Sequence, residues 1–344
     1  MWVLRTPSGR LSLQVRRRTV WVSLALLLAS AAIGFWTLVT GSYTAPVGDV
    51  LTVLTGGDGP RGLTQTVVNI RLPRLVGAAF VGAALGVSGA LFQSVSRNPL
   101  GSPDIIGFTS GSATGAIAAI LILHGSSAEI AAGAFAGGVL TAVVVYALTA
   151  RHGLSGFRLI LTGIGVSALL KGVDSYLITR ADLTDAETAQ RWLSGSLNAT
   201  QWAALAAPGL MLVVLVVVAV ALGPRLTVLE LGDETAQARG VPVRSTRVAA
   251  LFVGVALVAA ATAVAGPVVF VALAAPHIAR RLTRAPGPVP VPSALTGILL
   301  VVASDLAVQR VVAPLQLPVG VGTAVIGGGY LMWLLITQVR RRSP

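Results

Sequence analysis

Nine long apolar runs, separated by short polar stretches, cover most of this 344-residue chain. Hydrophobic residues make up 54% of it and charged residues only 11%, which is more apolar surface than a soluble core of this size needs. Runs of about twenty apolar residues are long enough to cross a bilayer as helices. The sequence therefore predicts an all-α, multi-pass protein of the cytoplasmic (inner) membrane. The runs lie at 20–40, 75–93, 105–123, 130–149, 158–179, 203–222, 248–278, 293–309 and 319–338.

The run at 248–278 is too long for one span. At ~1.5 Å per residue its helix would reach about 46 Å, whereas a hydrocarbon core is about 30 Å thick. Gly266 and Pro267 lie within this run, at a place where a helix would break. Two spans here bring the predicted total to about ten.

The arginines indicate the orientation of these spans. An even number of spans places both termini on one side, and an arginine triplet lies near each terminus, at 16–18 and 340–342. With the termini inside, 18 arginines are cytoplasmic and six are outside, as the positive-inside rule requires. The prediction is one transmembrane domain at 20–338 with basic cytoplasmic tails at 1–19 and 339–344. Because the arginines flank apolar runs, the net charge of +13 does not indicate nucleic-acid binding.

Glycines recur at helical spacing within several runs. Small residues let helix backbones approach closely in lipid, so we interpret these glycines as packing sites rather than as chemistry. They lie at 82, 86 and 89, at 107, 111 and 115, and at 133 and 137.

A polar stretch at 225–247 separates two apolar runs and falls on the predicted cytoplasmic side. It is long enough for one short amphipathic helix, and Pro224 and Pro242 bracket it. Taken alone, this stretch is either an ordinary cytoplasmic loop or a surface that a soluble partner binds.

Four blocks of sequence resemble one family of membrane proteins. The first, from Arg71 to Gly107, contains RLPR, GAALGVSGALFQ and NPLGSP in order; the others are RWLSGSLNATQW, GPVVFVALAAPHIARRL and LPVGVGTAVIGGGYLMWLLI. Their order and spacing resemble the FecCD-type permeases of ABC importers for iron-siderophores and vitamin B12. The resemblance runs from Arg71 to Ile336 and implies the helical bundle of a type II importer.

The resemblance implies roles at both faces of the membrane. Arg71 and Arg74 match arginines that dock an extracytoplasmic binding protein, and Arg310 lies one place from a further such arginine, which follows an aspartate equivalent to Asp305. Without the family context, such arginines would be expected to reach lipid headgroups. A cytoplasmic gate is implied at Asn98, Leu100, Ser155 and Gly156.

The polar stretch matches the family's coupling helix, which binds a cytoplasmic ATPase. The pattern L-x-L-G-x-x-x-A-x-x-x-G is present, and its charged flank would orient the partner. The residues implied in coupling are Leu229, Leu231, Gly232, Asp233, Glu234, Ala236 and Gly240.

Lys171, the single lysine, and Asp174 lie three residues apart on one face of a predicted span. Ionisable groups within spans are costly and usually face a cavity or a partner. The pair is therefore predicted either to line the translocation pathway or to form an internal ion pair, and it is no part of the family pattern.

These observations predict a transport subunit and not an enzyme. The chain has no P-loop motif, so ATP and Mg²⁺ would be used by two copies of a separate ABC ATPase, and no metal or cofactor is expected on this chain. The resemblance implies a siderophore-binding protein, a ferric siderophore as cargo and a second permease. That permease would be a homologue in a heterodimer, as for ferric enterobactin permeases, and a second copy of this chain is the alternative. Cobalamin and haem are alternative cargoes. An ion-coupled secondary transporter using Lys171 and Asp174 is a further alternative.

Overall fold

The computed structural model describes residues 2–5, 12–41, 46–57, 59–150, 156–198, 200–311 and 317–342. Nearly all of the described residues are helical. The helices are α1 (Arg17–Val39), α2 (Val47–Leu54), α3 (Arg61–Thr66), α4 (Leu72–Ser96), α5 (Phe108–Leu121), α6 (Ser127–Ala150), α7 (Gly156–Arg180), α8 (Leu183–Leu193), α9 (Trp202–Leu229), α10 (Asp233–Ala238), α11 (Val243–Ala265), α12 (Val271–Thr283), α13 (Pro290–Val311) and α14 (Val319–Arg342).

Every one of the ten predicted spans falls on a helix. In the part of the chain that the structure describes, seven helices are long and apolar enough to cross a membrane, one of them continuous from α3 through a π-helical turn at Val67–Arg71 into α4. The predicted spans at 105–123 and after Pro267 are shorter than expected, because α5 has 14 residues and α12 has 13. At ~1.5 Å per residue each reaches only about 20 Å, so the non-helical segments before them also lie within the bundle.

The predicted tails differ from the structure in three respects. Two short strands, β1 (Trp2–Arg5) and β2 (Ser12–Val15), pair in antiparallel register within the expected N-terminal tail. Helix α1 begins at Arg17, inside that tail, and α14 continues to Arg342, through most of the expected C-terminal one. The basic triplets therefore lie at helix ends, with Arg16 directly before α1.

Helix α4 lies at the centre of the bundle. It packs most extensively against α13 and also contacts α11, α12 and α9. In the most apolar stretch of the helix that contains α4, 83% of the residues are buried, against 17% in the corresponding stretches of α7 and α9. The peripheral helices expose apolar side chains all along their length, as lipid contact requires, whereas α4 has almost no lipid-facing surface.

Glycines bring the two central helices into backbone contact. A methyl group on Gly82 of α4 would collide with the carbonyl of Gly297 on α13, and one on Gly297 would collide with the carbonyl of Gly82. Helices α5 and α6 meet in the same way through Gly115 and Gly133. The prediction that these glycines serve close packing is confirmed.

The predicted break in the long apolar run is confirmed. Helix α11 ends at Ala265, and α12 begins at Val271. Gly266 adopts a φ of +69°, which glycine adopts with little strain. The carbonyl of Ala265 accepts a hydrogen bond from the Ser196 backbone N–H at 2.7 Å, so another loop satisfies the broken helix end.

Candidate functional site

The coupling segment, residues 225–247, consists of a helix end, a turn and a short helix. Contrary to prediction, Pro224 does not end the preceding helix, because α9 continues through it to Leu229. The chain then turns through Gly232, with φ at +120°, into the six-residue helix α10. It leaves α10 through Gly240, with φ at +75°, and Pro242 precedes α11 as expected.

The predicted coupling residues divide between two faces of this segment. Leu229 and Ala236 are fully buried and hold the segment against the bundle, so their implied role in coupling would be to position the segment rather than to contact a partner. Leu231 is 62% exposed, and Glu234 and Gly240 are also exposed. A surface that a partner binds would therefore centre on Leu231 and the outer face of α10.

Asp233 joins three elements through ion pairs. Its Oδ1 pairs with a guanidinium nitrogen of Arg97, immediately after α4, and lies 2.7 Å from Nη2 of Arg247 on α11. Burial, and secondarily the nearby Arg247 charge, lowers the pKa of the Arg97 guanidinium from its ordinary value. Arginine nonetheless stays charged at physiological pH, so the Asp233 carboxylate offsets the repulsion between two fixed cations.

Glu230 binds the last turn of α4 from the neighbouring side. Its Oε1 accepts a hydrogen bond from Ser94 Oγ at 2.7 Å and lies 3.8 Å from Nη1 of Arg280 on α12. Arg280 donates to Gln93 Oε1, and Gln93 Nε2 donates to the Leu273 carbonyl at 3.0 Å. The end of α4 is thus hydrogen-bonded to α12 and to the coupling segment.

The predicted gate lies beside this network. Asn98 Oδ1 accepts a hydrogen bond from the Leu100 backbone N–H at 2.9 Å, which closes a turn that leaves Leu100 43% exposed. Gly156, the first residue of α7, packs so closely on the Ser96 backbone that a side chain there would collide with it. The structure therefore brings Asn98 and Gly156 to one place, while Ser155 lies outside the described residues.

At the opposite end of the bundle, Arg74 forms an ion pair with another residue of the chain, Asp305. Its Nη2 lies 2.8 Å from Asp305 Oδ1 on α13, and its Nε donates to Oδ2 at 3.0 Å. The side chains are only 14% and 7% exposed. Gln309 also donates to Asp305 Oδ2, at 2.7 Å. This geometry does not favour Arg74 as a docking residue, because its fork-shaped donor set is already used.

Arg71 and Arg310 are better placed to meet a partner at that end. Arg310 is exposed near the end of α13. Arg71 is partly buried and donates through Nη1 to the Leu38 carbonyl at 2.6 Å, which holds its guanidinium at the end of α1. Their docking roles remain predictions.

Lys171 and Asp174 line a cavity of about 580 Å³ between α5, α7, α8 and the broken segment. They form no ion pair with each other, since every pairing found for the described residues lies elsewhere. Asp174 is only 8% exposed, and its Oδ1 has no hydrogen-bond partner. Of the two alternatives from sequence, the internal ion pair is wrong, and lining the pathway remains a prediction.

Three of the four sequence blocks meet at a junction close to this cavity. The Gly320 N–H donates to the Gly195 carbonyl at 3.1 Å, and a side chain on Gly195 would collide with the Pro267 carbonyl. Pro267 and Leu193 are themselves among the lining residues. The blocks thus specify a close backbone junction, between the start of α14 and two non-helical segments, beside the cavity.

The sequence reasoning missed several polar residues that the structure brings together. Asp104 lines the cavity and accepts from Thr109 Oγ1 at 2.6 Å. Glu230, Arg97 and Arg280 belong to the network around the end of α4. A signal was present for Glu230, because a carboxylate within a run of leucines requires a partner.

The bundle of apolar helices, the partly open cavity with charged and hydroxyl side chains in its lining and the exposed short helix at one end are features expected of a membrane transport subunit. The chain belongs to the FecCD transport family, whose family model matches residues 26–337. It is 43% identical to the ferric enterobactin transport system permease protein FepG of Escherichia coli, over 95% of this chain and 99% of that protein.

Two further comparisons agree with this assignment. The chain is 39% identical to the achromobactin transport system permease protein CbrC of Dickeya dadantii, over 98% of this chain and 97% of the relative. A solved chain, described as an inward-facing metal-chelate type ABC transporter, matches 92% of this chain and 99% of its own length, with a TM-score of 0.83 and 27% identity. The recognition made from the four sequence blocks is confirmed.

Proposed function

We propose that this chain is the permease subunit of an importer that moves a ferric siderophore of catecholate type into the cytoplasm. The observation that carries the proposal is the similarity over nearly the whole chain to a ferric enterobactin permease. The achromobactin permease, at slightly lower identity, supports an iron chelate more broadly. Cobalamin and haem are the alternative cargoes.

The energy for transport comes from a separate ATPase that binds the coupling segment. Leu231 presents an apolar side chain, 62% exposed, at the end of a bundle that buries most of its other leucines there. Exposed apolar residues surrounded by charged ones are typical of protein contacts. Two copies of the ATPase, one for each permease, would use ATP and Mg²⁺, and this chain would bind neither.

A binding protein delivers the cargo at the opposite end, where Arg71 and Arg310 supply positive charge. Charges at the rim of a protein contact speed encounter and set the register of the complex, while contributing modest affinity. The six arginines expected outside the membrane include both residues.

A second, homologous permease completes the pathway, and the cavity beside α7 is part of it. In the single chain Lys171 is exposed while lying well within α7. A lysine in a membrane helix is costly unless it faces water, a cavity or a partner. Hydroxyl groups from Ser110, Ser175 and Thr179 add polar groups to the lining of this cavity.

The test is uptake of radioactive iron as a ferric catecholate siderophore by cells that lack this chain and by cells in which it is restored. Labelled cobalamin and labelled haem are measured in parallel. Loss and recovery of siderophore uptake alone supports the proposal, whereas loss of cobalamin or haem uptake assigns a different cargo to the same permease. Uptake that continues when the partner ATPase is removed contradicts the importer mechanism and favours ion-coupled transport.

A further inference from the structure

We infer that Asp233 is the positioning residue that joins the ATPase-binding face of the coupling segment to the gate turn at Asn98–Leu100, so that the two move as one unit. This inference extends the proposed function to a transmission element. The contacts that make the connection rigid are those of Asp233 with Arg97 and Arg247, together with the Glu230 cluster. This cluster consists of Glu230, Ser94, Gln93 and Arg280.

The connection is short. Asp233 begins α10, the helix whose outer face is exposed, and its carboxylate pairs with Arg97. Arg97 directly precedes Asn98, whose side chain closes the gate turn. A displacement of α10 therefore reaches the gate through a single ion pair and one peptide bond.

Helix α10 is held in place by these contacts and not by its own stability. A helix of six residues is far below the length at which a helix is stable alone. Burial of Leu229 and Ala236 fixes one face of the segment. The pairing of Asp233 with Arg97 and Arg247 fixes its start to both α4 and α11.

The backbone at Arg97 is also constrained. Arg97 ends α4 in a left-handed conformation with φ at +50°, which is unfavourable for a residue with a Cβ atom. Such a conformation persists only where surrounding contacts determine it. Its N–H donates to the Ser94 carbonyl, and the Asn98 N–H donates to the Gln93 carbonyl at 3.2 Å. Both the side chain and the backbone of Arg97 are thus fixed.

The Glu230 cluster prevents α4 and the coupling segment from sliding past each other. Glu230 accepts a hydrogen bond from Ser94, three residues before Arg97. The coupling segment therefore contacts the end of α4 at two points, Ser94 and Arg97. Arg280 on α12 contacts both Glu230 and Gln93, so α12 is joined to the same end of α4. Two separate contacts resist rotation as well as separation, which a single ion pair does not.

The experiment uses the complete importer, with its partner permease, ATPase and binding protein, reconstituted in liposomes. Cargo moved per ATP hydrolysed is measured for Asp233→Asn. We expect ATP hydrolysis to continue while the ratio of cargo moved to ATP hydrolysed falls about tenfold. Losses of coupling between two sites typically have effects of about 5–150-fold. The matched arginine variants are Arg97→Gln, expected to lower the ratio, and Arg284→Gln, expected to leave it unchanged. Arg284 has the same left-handed backbone, with φ at +48°, and its side chain makes no ion pair with any other described residue.

A covalent bridge between positions 97 and 233 distinguishes loss of the connection between α10 and the gate turn from a defect in folding. The chain contains no cysteine, so Arg97→Cys with Asp233→Cys introduces the only two thiols if the other subunits are also made cysteine-free. The double variant is expected to hydrolyse ATP without transport, and a short bifunctional thiosulfonate is expected to restore transport until it is reduced.

Two results would overturn the inference alone: an Asp233→Asn importer with the parental ratio, or a bridge that blocks transport in place of restoring it. A parental complex that moves no ferric siderophore, cobalamin or haem would instead overturn the proposed function, and with it this inference.

Discussion

Asp305 on α13 receives two nitrogen donors from Arg74 on α4, with Nη2 2.8 Å from Oδ1 and Nε 3.0 Å from Oδ2. Both side chains are largely buried between the two most extensively packed helices of the bundle. The pair therefore belongs to the internal structure of this end of the protein, although the sequence resemblance placed Arg74 at a docking surface.

Asp305→Asn is expected to destabilise the fold, because it leaves the Arg74 guanidinium buried without its counter-charge. Breaking one partner of a buried ion pair typically costs about 3–5 kcal/mol. Thermal unfolding of the purified chain in detergent would show the loss as a lower midpoint. Replacing both residues, with Arg74→Met and Asp305→Leu, is expected to recover most of it. An Asp305→Asn midpoint equal to that of the parent would show that the pair is not structural.

Gly297→Ala is expected to lower the melting midpoint and the yield of folded protein, because its methyl group would collide with the Gly82 carbonyl. Overpacking of this kind costs typically about 1–3 kcal/mol. The control is Gly165→Ala on α7, where a Cβ atom meets nothing within 4 Å. Alanine there is expected to be neutral or slightly stabilising, since glycine weakens a helix interior. Equal effects of the two variants would contradict the close α4–α13 contact.

Leu231→Ala and Leu229→Ala are expected to fail in different ways. Leu229 is fully buried, so its truncation should lower stability by about 2–5 kcal/mol. Leu231 is 62% exposed, so its truncation should leave the melting midpoint unchanged and weaken co-purification of the ATPase. If Leu231→Ala retains the ATPase at parental affinity, the partner does not bind this face of the coupling segment.

Ser175→Cys and Thr179→Cys are expected to react with a charged, membrane-impermeant thiol reagent, because both side chains line the polar cavity. Ala84→Cys is the control, since Ala84 is fully buried within α4. Cargo delivered by the binding protein should slow labelling at the two cavity positions. Labelling that is unaffected by cargo would place the translocation pathway elsewhere.

Arg310→Glu is expected to weaken docking of the binding protein by a few-fold to about tenfold, because exposed ion pairs contribute about 0.2–1 kcal/mol each and a reversed charge also repels. The effect should shrink as salt is raised. Arg225→Glu, exposed at the other end of the bundle, is the control for net charge. Docking that is indifferent both to Arg310→Glu and to salt would exclude Arg310 from the contact.

Much of the fold could be predicted because the apolar runs and their breaks are local properties of the sequence. The ten predicted spans all became helices, and Gly266 with Pro267 ended α11 as expected. Pro224 shows the limit of this reasoning, because α9 continues through it. Neighbouring helices decide whether a proline ends a membrane helix or is accommodated within it.

The site was predicted less completely, because a one-dimensional pattern does not show which way a side chain faces. Leu229 and Leu231 are two residues apart in a matching motif, yet one is buried and the other is exposed. Arg97 and Asp233 are separated by well over a hundred residues, so only the fold reveals that they pair. The sequence could indicate that such charges need partners, but it could not identify them.

The central position of α4 also governs how the protein is made. Its main packing partner, α13, begins at Pro290, so α4 leaves the ribosome roughly 200 residues before the surface that covers it. At synthesis rates of about 5–20 residues per second, that interval lasts about 10 to 40 seconds. During this time Ser88 and Gln93, both buried in the finished bundle, lack the carbonyl groups of α11 and α12 to which they later donate. The most protected helix of the finished permease therefore waits, in lipid or beside an insertion factor, for a packing partner that is made much later in the chain.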